Sequence, residues 1–311
     1  MNLASLPFTL RQLQYALAVA ETLNFRRAAE RCAVAQPSLS SQLAALEAAL
    51  GVVLFERGPG GVRITPAGKP LLARMSQIAA AAAELTLEAT SLQDPFAGTL
   101  RLGVIPTLAP YLLPFLVPAL KEAFPRLMPR WTEDRTDTLV TALHQGELEG
   151  AFLALEADLG DLESQVLGRD PFLLCLPPGH RLARTAAPLR VEKLEGESLL
   201  LLEDGHCLRD QALAACGGAR LEELGYRATS LPTLVQMVAS GAGVTLLPRL
   251  AAAIEASRAT VVLRPLAAPA PFRTLALVWR RGCYADRALQ RLGKVASKAF
   301  QEHESPVKAV M

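Results

Sequence analysis

Apolar positions in the first fifty residues recur at helical rather than strand spacing. Leu13, Leu17 and Ala20 mark a helix over 10–21. Asn24 stands where it can cap a second helix over 25–32, whose Phe25, Ala28, Ala29 and Cys32 share one face. Pro37 falls in the first turn of a third, which ends near Leu50 before Gly51 and turns Leu39, Leu43, Leu46 and Leu50 inward. The tight Ala33-Val34-Ala35 connection makes the last two a helix-turn-helix. Short extended pieces at 54–57 and 62–65 flank Gly58-Pro59-Gly60-Gly61 and predict a hairpin, or wing. Pro66 then opens a long Ala-rich helix to about Gln93, stopped by Pro95, which at 1.5 Å per residue spans about 40 Å. A module of this size cannot cover such a helix, so pairing with another copy is expected.

After Gly98 strands alternate with helices. Strands over 99–105, 127–133 and 150–155 enclose helices over 111–124 and 136–145, the pattern of a largely parallel α/β sheet. A second set of strands follows near 172–176, 199–202, 227–228, 244–247 and 261–263. The segment 273–279 and the helix after Tyr284 then return to the first set. The expected fold is an α/β regulatory domain of two Rossmann-like subdomains, arranged as in periplasmic binding proteins, behind an all-α winged helix-turn-helix. The predicted limits are 1–65 for the winged module, 66–97 for the linker helix and 98–301 for the regulatory domain. Within the last, subdomain I takes about 98–170 and 272–301 and subdomain II about 171–271; a flexible tail follows at 302–311.

Charge adds a little. The net +2 divides into +4 over residues 1–75 (eight Lys/Arg, four Asp/Glu) and −2 over the rest (24 against 26), so an anionic partner suits the first part only. The opening residues, Met1 to Phe8, have no basic stretch leading into an apolar run, which predicts a cytoplasmic protein rather than a secreted binding module. The longest apolar run, 78–83, is far short of a membrane span. In that compartment the five cysteines, Cys32, Cys175, Cys207, Cys216 and Cys283, would form only transient or sensory bridges. Cys32 and Cys175 read as small core hydrophobes; Cys283 lies in a short connection and takes no role.

The segment Phe25-Arg26-Arg27-Ala28-Ala29-Glu30-Arg31-Cys32-Ala33-Val34-Ala35-Gln36-Pro37-Ser38-Leu39-Ser40-Ser41-Gln42-Leu43 resembles the winged helix-turn-helix of LysR-type transcriptional regulators. Leu54-Phe55-Glu56-Arg57 and Thr65-Pro66-Ala67-Gly68 continue the likeness. It implies double-stranded operator DNA as a partner, met at Gln36, Pro37, Ser38, Ser40, Ser41 and Gln42 in the major groove. Arg26, Arg27, Arg57 and Arg63 would lie on phosphates. It also implies a homo-oligomer, a dimer through the long helix that assembles into a tetramer, with RNA polymerase as a further partner.

The stretch Glu203-Asp204-Gly205-His206-Cys207-Leu208-Arg209-Asp210-Gln211, with Cys216 beyond it, resembles the redox segment of the peroxide-sensing members of this family. Gly103-Val104-Ile105-Pro106-Thr107 and Gly243-Val244-Thr245-Leu246-Leu247-Pro248 extend the likeness. It implies that Cys207 is the peroxidatic thiol and Cys216 the resolving one. Thr107, Thr136, His206, Asp210 and Arg280 are implied as the groups that bind and activate hydrogen peroxide. The residues before Thr136, Glu133-Asp134-Arg135, depart from the family pattern, as does Arg281 where a proline is expected. Cys207 also stands where a helix would begin, beside His206 and Arg209, and a helix N-terminus and cations favour a thiolate. If residues 207–216 are helical, nine residues rise about 13 Å, whereas a disulfide needs Cα atoms within roughly 4.4–6.8 Å. The helix would then have to unwind, with slack from Gly217-Gly218. No cofactor, metal or enzymatic turnover is implied, since a thiol peroxidase has no need of residues 10–65. A regulator that binds a small organic effector in the interdomain cleft, with silent cysteines, is the alternative.

Overall fold

The computed structural model describes residues 6–58, 61–91, 96–184, 187–216 and 222–307. They fall into two compact units that change over between Thr90 and Ser91.

The first unit holds α1 (Leu10–Thr22), α2 (Phe25–Arg31), α3 (Gln36–Leu50), the hairpin β1 (Phe55–Gly58) and β2 (Gly61–Ile64), and α4 (Gly68–Ser91). Asn24 caps α2, its Oδ1 accepting from the amides of Arg26 (2.9 Å) and Arg27 (3.1 Å). Ala33 takes φ +53 in the tight connection, and Gly51 closes α3 in the left-handed region. The inward stripe of α1 is Leu13, Ala16 and Val19; Leu17 and Ala20 are only half-buried, so the buried face is rotated from the expected one. Leu39, Leu43 and Leu46 of α3 meet that stripe, and Leu72 and Met75 of α4 join the same core. A Cβ on Gly68 would lie 2.6 Å from the Leu54 carbonyl oxygen, so only glycine lets α4 start this close to the wing. The wing tip at 59–60 and the stop at Pro95 lie outside the described residues.

The second unit runs β3 (Gly98–Val104), α5 (Ala109–Ala123), β4 (Leu127–Glu133), α6 (Thr136–His144), β5 (Gly150–Ala154), β6 (Glu163–Leu176), β7 (Ser198–Leu202), α7 (Cys207–Ala215), β8 (Glu222–Ala228), α8 (Leu231–Ala239), β9 (Thr245–Pro248), α9 (Arg249–Arg258), β10 (Val262–Pro265), β11 (Phe272–Trp279) and α10 (Asp286–Val307). The main sheet has the order β10-β6-β11-β5-β3-β4, with β9 also on β6. Only the β4-β3-β5 part is parallel; β11 runs antiparallel to both β5 and β6. The expectation of a largely parallel sheet thus holds for β4-β3-β5 in the first lobe and for the separate pair β7-β8 in the second, whereas β6 and β11, the long strands that cross between lobes, run in opposite senses and β9 and β10 are antiparallel to β6. Each lobe has its own core. Leu102, Leu112, Leu139, Phe152, Leu277 and Leu289 fill the first, and Phe172, Leu174, Leu199, Leu201, Val235 and Leu247 the second. The helix α10 continues through Val307, past residue 302, where a tail was expected.

Candidate redox site and DNA-binding face

Gly205, at φ +91, turns the chain after β7 so that His206 becomes the N-cap and Cys207 the first residue of α7. Cys216 follows the last residue of the same helix. Both thiols are free. Their surroundings differ. Cys207 is half-buried and packs against the core of the first lobe, whereas Cys216 is 2% exposed inside the core of the second. By the rise of α7 their Cα atoms stand about 13 Å apart.

Polar groups from two strands, the loop after β3 and the start of α6 converge near Cys207. Arg273 of β11 is the largest fully buried side chain of the protein's described residues, and Asp170 sits opposite it on β6. Arg273 donates from Nε to Asp170 Oδ2 (3.0 Å), from Nη1 to Thr107 Oγ1 (2.9 Å) and from Nη2 to the Thr107 carbonyl (3.1 Å). The Asp170 carboxylate also accepts from the Leu250 amide at 2.9 Å. Thr136 opens α6 with its hydroxyl beside the Cys207 sulfur; no other protein group satisfies that buried oxygen. The helix is started instead by the Arg135 carbonyl, which accepts from the Leu139 amide, so Thr136 is not its cap.

The thiol of Cys207 is pushed up by burial. The Thr136 hydroxyl, the Arg273 cation and the Leu208 amide pull it back down, and Asp210 raises it further. A resting thiolate is therefore not what the structure supports, and the expected cations are not the operative ones. Arg209 pairs with Asp204 at 3.0 Å, and burial holds His206 neutral beside Glu203 and Arg135. Asp210 is exposed on α7 and opposes the thiolate rather than lining its surroundings. Burial takes Cys216 up to about 11, as befits a thiol stored in an apolar core.

The arginine expectation needs correcting. Arg280 follows the end of β11, seven residues past Arg273, and strand rise separates the two by about 23 Å. Arg273 is the cation that reaches Thr107 and Cys207. Sequence reading missed it because it lies 66 positions beyond Cys207 inside an ordinary strand pattern. Gln211 was also missed: its buried amide has no partner among the described residues at either end, and its i+4 spacing from Cys207 puts both on one face of α7. Cys283, in the short connection between β11 and α10, is buried in the first lobe's core. Cys175 lies fully buried on β6 as expected, and Cys32 is half-buried just after α2. Gly217-Gly218 lie outside the described residues.

In the first unit, Gln36, Pro37, Ser38, Ser41 and Gln42 are exposed along the start of α3, with Ser40 half-buried among them. Gln42 Oε1 accepts from Gln12 Nε2 at 3.1 Å, which fixes its amide group outward. Arg26, Arg27 and Arg63 are exposed, Arg26 in an i,i+4 pair with Glu30 at 3.2 Å; the side chain of Arg57 lies outside the described residues. Glu47 accepts from the amides of Leu54 (2.6 Å) and Phe55 (3.2 Å), which ties the wing to α3.

A winged helix-turn-helix with a long helix, followed by a two-lobed α/β domain with its polar cluster where the crossing strands meet the first lobe, defines a ligand- or signal-responsive transcription regulator. The chain belongs to the LysR family: residues 10–69 match the bacterial regulatory helix-turn-helix protein, lysR family, and 93–301 match the LysR substrate binding domain. It is similar to the probable hydrogen peroxide-inducible genes activator of Mycobacterium avium, 41% identical over 300 residues that cover 95% of this chain and 96% of the relative. Among solved structures it is similar to a full-length OxyR variant from Pseudomonas aeruginosa, with a TM-score of 0.73 and 35% identity, covering 94% of this chain and 95% of that one. A Corynebacterium glutamicum OxyR variant with H2O2 bound gives a TM-score of 0.67 and 33% identity over 97% and 95%.

Proposed function

We propose that the protein is a peroxide-sensing LysR-type regulator in which Cys207 is oxidised and a Cys207–Cys216 disulfide reports the event. The observation that carries this reading is the polar cluster on a single thiol, with a second thiol at the far end of the same helix. The Cys207 thiolate attacks one peroxide oxygen, the O–O bond breaks, and the leaving hydroxide takes up the thiol's proton as water. Cys207 is left as a sulfenic acid. Thr107 already accepts from Arg273, so its own proton is available to the departing oxygen. Thr136 adds a second buried hydroxyl and Arg273 a charge, as donors in an oxyanion hole do. His206, neutral, can orient the peroxide.

The Cys216 thiol then attacks the sulfenic sulfur and expels a second water, so one peroxide and two thiols yield one disulfide and two waters. Because Cα atoms about 13 Å apart exceed disulfide reach, α7 must unwind, which makes it a two-state element. The likeness to peroxide-inducible activators and to an H2O2-bound relative supports the assignment. The same reading makes this a cytoplasmic activator of oxidative-stress genes that contacts operator DNA, and RNA polymerase, as a dimer paired through α4 and assembled into a tetramer. Ile78 and Leu85, exposed on α4, support that pairing. The thiol pair signals rather than turning over substrate.

Peptide mass mapping of reduced protein after a few equivalents of H2O2 tests it. A rapid, dithiothreitol-reversible Cys207–Cys216 cross-link is expected. Slow, scattered oxidation with Cys207 left as a thiol would overturn the reading in favour of a small organic effector.

A further inference from the structure

One side chain of the first lobe lies directly on the turn that presents Cys207. A Cβ built on Gly205 would fall 2.9 Å from Arg135 Nη1, 3.2 Å from its Cζ and 3.3 Å from its Cδ, so the guanidinium and the end of its stem rest on the Gly205 backbone. Arg135 immediately precedes Thr136, whose hydroxyl faces the sulfur, and Gly205 lies two residues before the sulfur itself. The side chain is 44% exposed and lies 3.8 Å from Asp137 in the first turn of α6. One of its faces is therefore in water and the other on the turn.

We propose that Arg135 is the specificity-determining residue of the thiol site, the bulk of its side chain walling the approach to Cys207 so that hydrogen peroxide is admitted over alkyl hydroperoxides. The inference rests on the reading of Cys207 as the peroxidatic thiol. The chemistry is the same for both oxidants: the thiol and R–O–OH give a sulfenic acid and R–OH, with one O–O bond broken, one S–O bond formed and the thiol proton passed to the departing oxygen. Only the group on that oxygen differs. In H2O2 it is a hydrogen; in an alkyl hydroperoxide it is a carbon substituent that must stand beside Thr136 and the Gly205 turn. Arg135 lies on that turn and directly precedes Thr136 in the chain. A glycine at φ +91 cannot be replaced cheaply to fill the same space, so the wall is supplied from across the lobe boundary.

The test compares R135A and R135L with the wild-type full-length protein. Rates of Cys207 oxidation are read by quenched thiol alkylation and mass spectrometry, with H2O2 and with tert-butyl hydroperoxide. R135A should raise the tert-butyl hydroperoxide rate at least about tenfold relative to the H2O2 rate, while R135L, similar in bulk but uncharged, stays near wild type. An unchanged ratio in R135A overturns the proposal, and so does an R135L that shifts as far as R135A, because charge and not bulk would then select. If wild-type Cys207 fails to react with H2O2 at all, this proposal and the peroxide-sensing reading fall together. A wild-type cross-link with an unmoved R135A ratio overturns the wall alone.

Discussion

The two ends of α7 carry the same chemical group in opposite settings. At the start, Cys207 meets the Thr136 hydroxyl and the charge of Arg273, which also holds Thr107, at the edge of the first lobe; at the end, Cys216 is enclosed by the aliphatic core of the second. Burial raises both thiols, but only Cys207 has neighbours that offset it. On the proposed reading, a hydroxyl and a buried guanidinium would assign reactivity to Cys207, while Cys216 would be held in reserve behind hydrophobic packing. Neither end could do the other's work without rebuilding its lobe.

The most complete test of this division is to delete the reserve. C216A should abolish the disulfide and leave Cys207 as a sulfenic acid that a dimedone probe labels within one equivalent of H2O2; labelling no greater than in untreated protein would contradict it. Next comes the ion pair beneath the reactive end. R273M strands Asp170 in the interior and should cost about 3–5 kcal/mol of unfolding free energy in urea titration. T136V removes one donor from the departing oxygen and the hydroxyl that pulls the Cys207 thiol down, so Cys207 oxidation should slow by about a hundredfold with the denaturation midpoint nearly unmoved.

The protonation difference predicts a pH profile. Because the Cys207 thiol lies above its ordinary value, the thiolate fraction is still growing through neutrality, and the oxidation rate should climb about tenfold per pH unit between 6 and 8. A plateau near pH 7 would mean a depressed thiol and a resting thiolate. The smallest effect lies in the other unit: N24A removes two hydrogen bonds from the start of α2 and should cost about 1 kcal/mol in thermal unfolding, without touching the thiols.

What was legible in the sequence follows the range of the interactions. The winged module rests on contacts within a few turns, so Asn24, Pro37, Leu39, Leu43 and Gly51 announce it in order. Cys207 and Cys216 were legible through their shared local context. Arg273 was not: it is brought to Thr107 and Asp170 only by the antiparallel pairing of β6 with β11, a long-range register that no local spacing encodes. The nearest plausible arginine by pattern, Arg280, sits at the wrong end of that strand. The burial of Cys283 was not legible for a related reason, since it depends on the long-range packing of the first lobe's core around a short connection.

The burial of Cys216 also sets the tempo of the response. On the proposed disulfide reading, sulfenic acid at Cys207 would form at a rate proportional to peroxide, but its capture would wait for α7 to open, a local unfolding whose frequency belongs to the protein and not to the oxidant. A pulse shorter than that waiting time leaves a mark that ambient thiols erase; a sustained one is locked in. The packing of one helix end therefore acts as a low-pass filter, and loosening the second lobe's core around Cys216 would make the sensor quicker and noisier together.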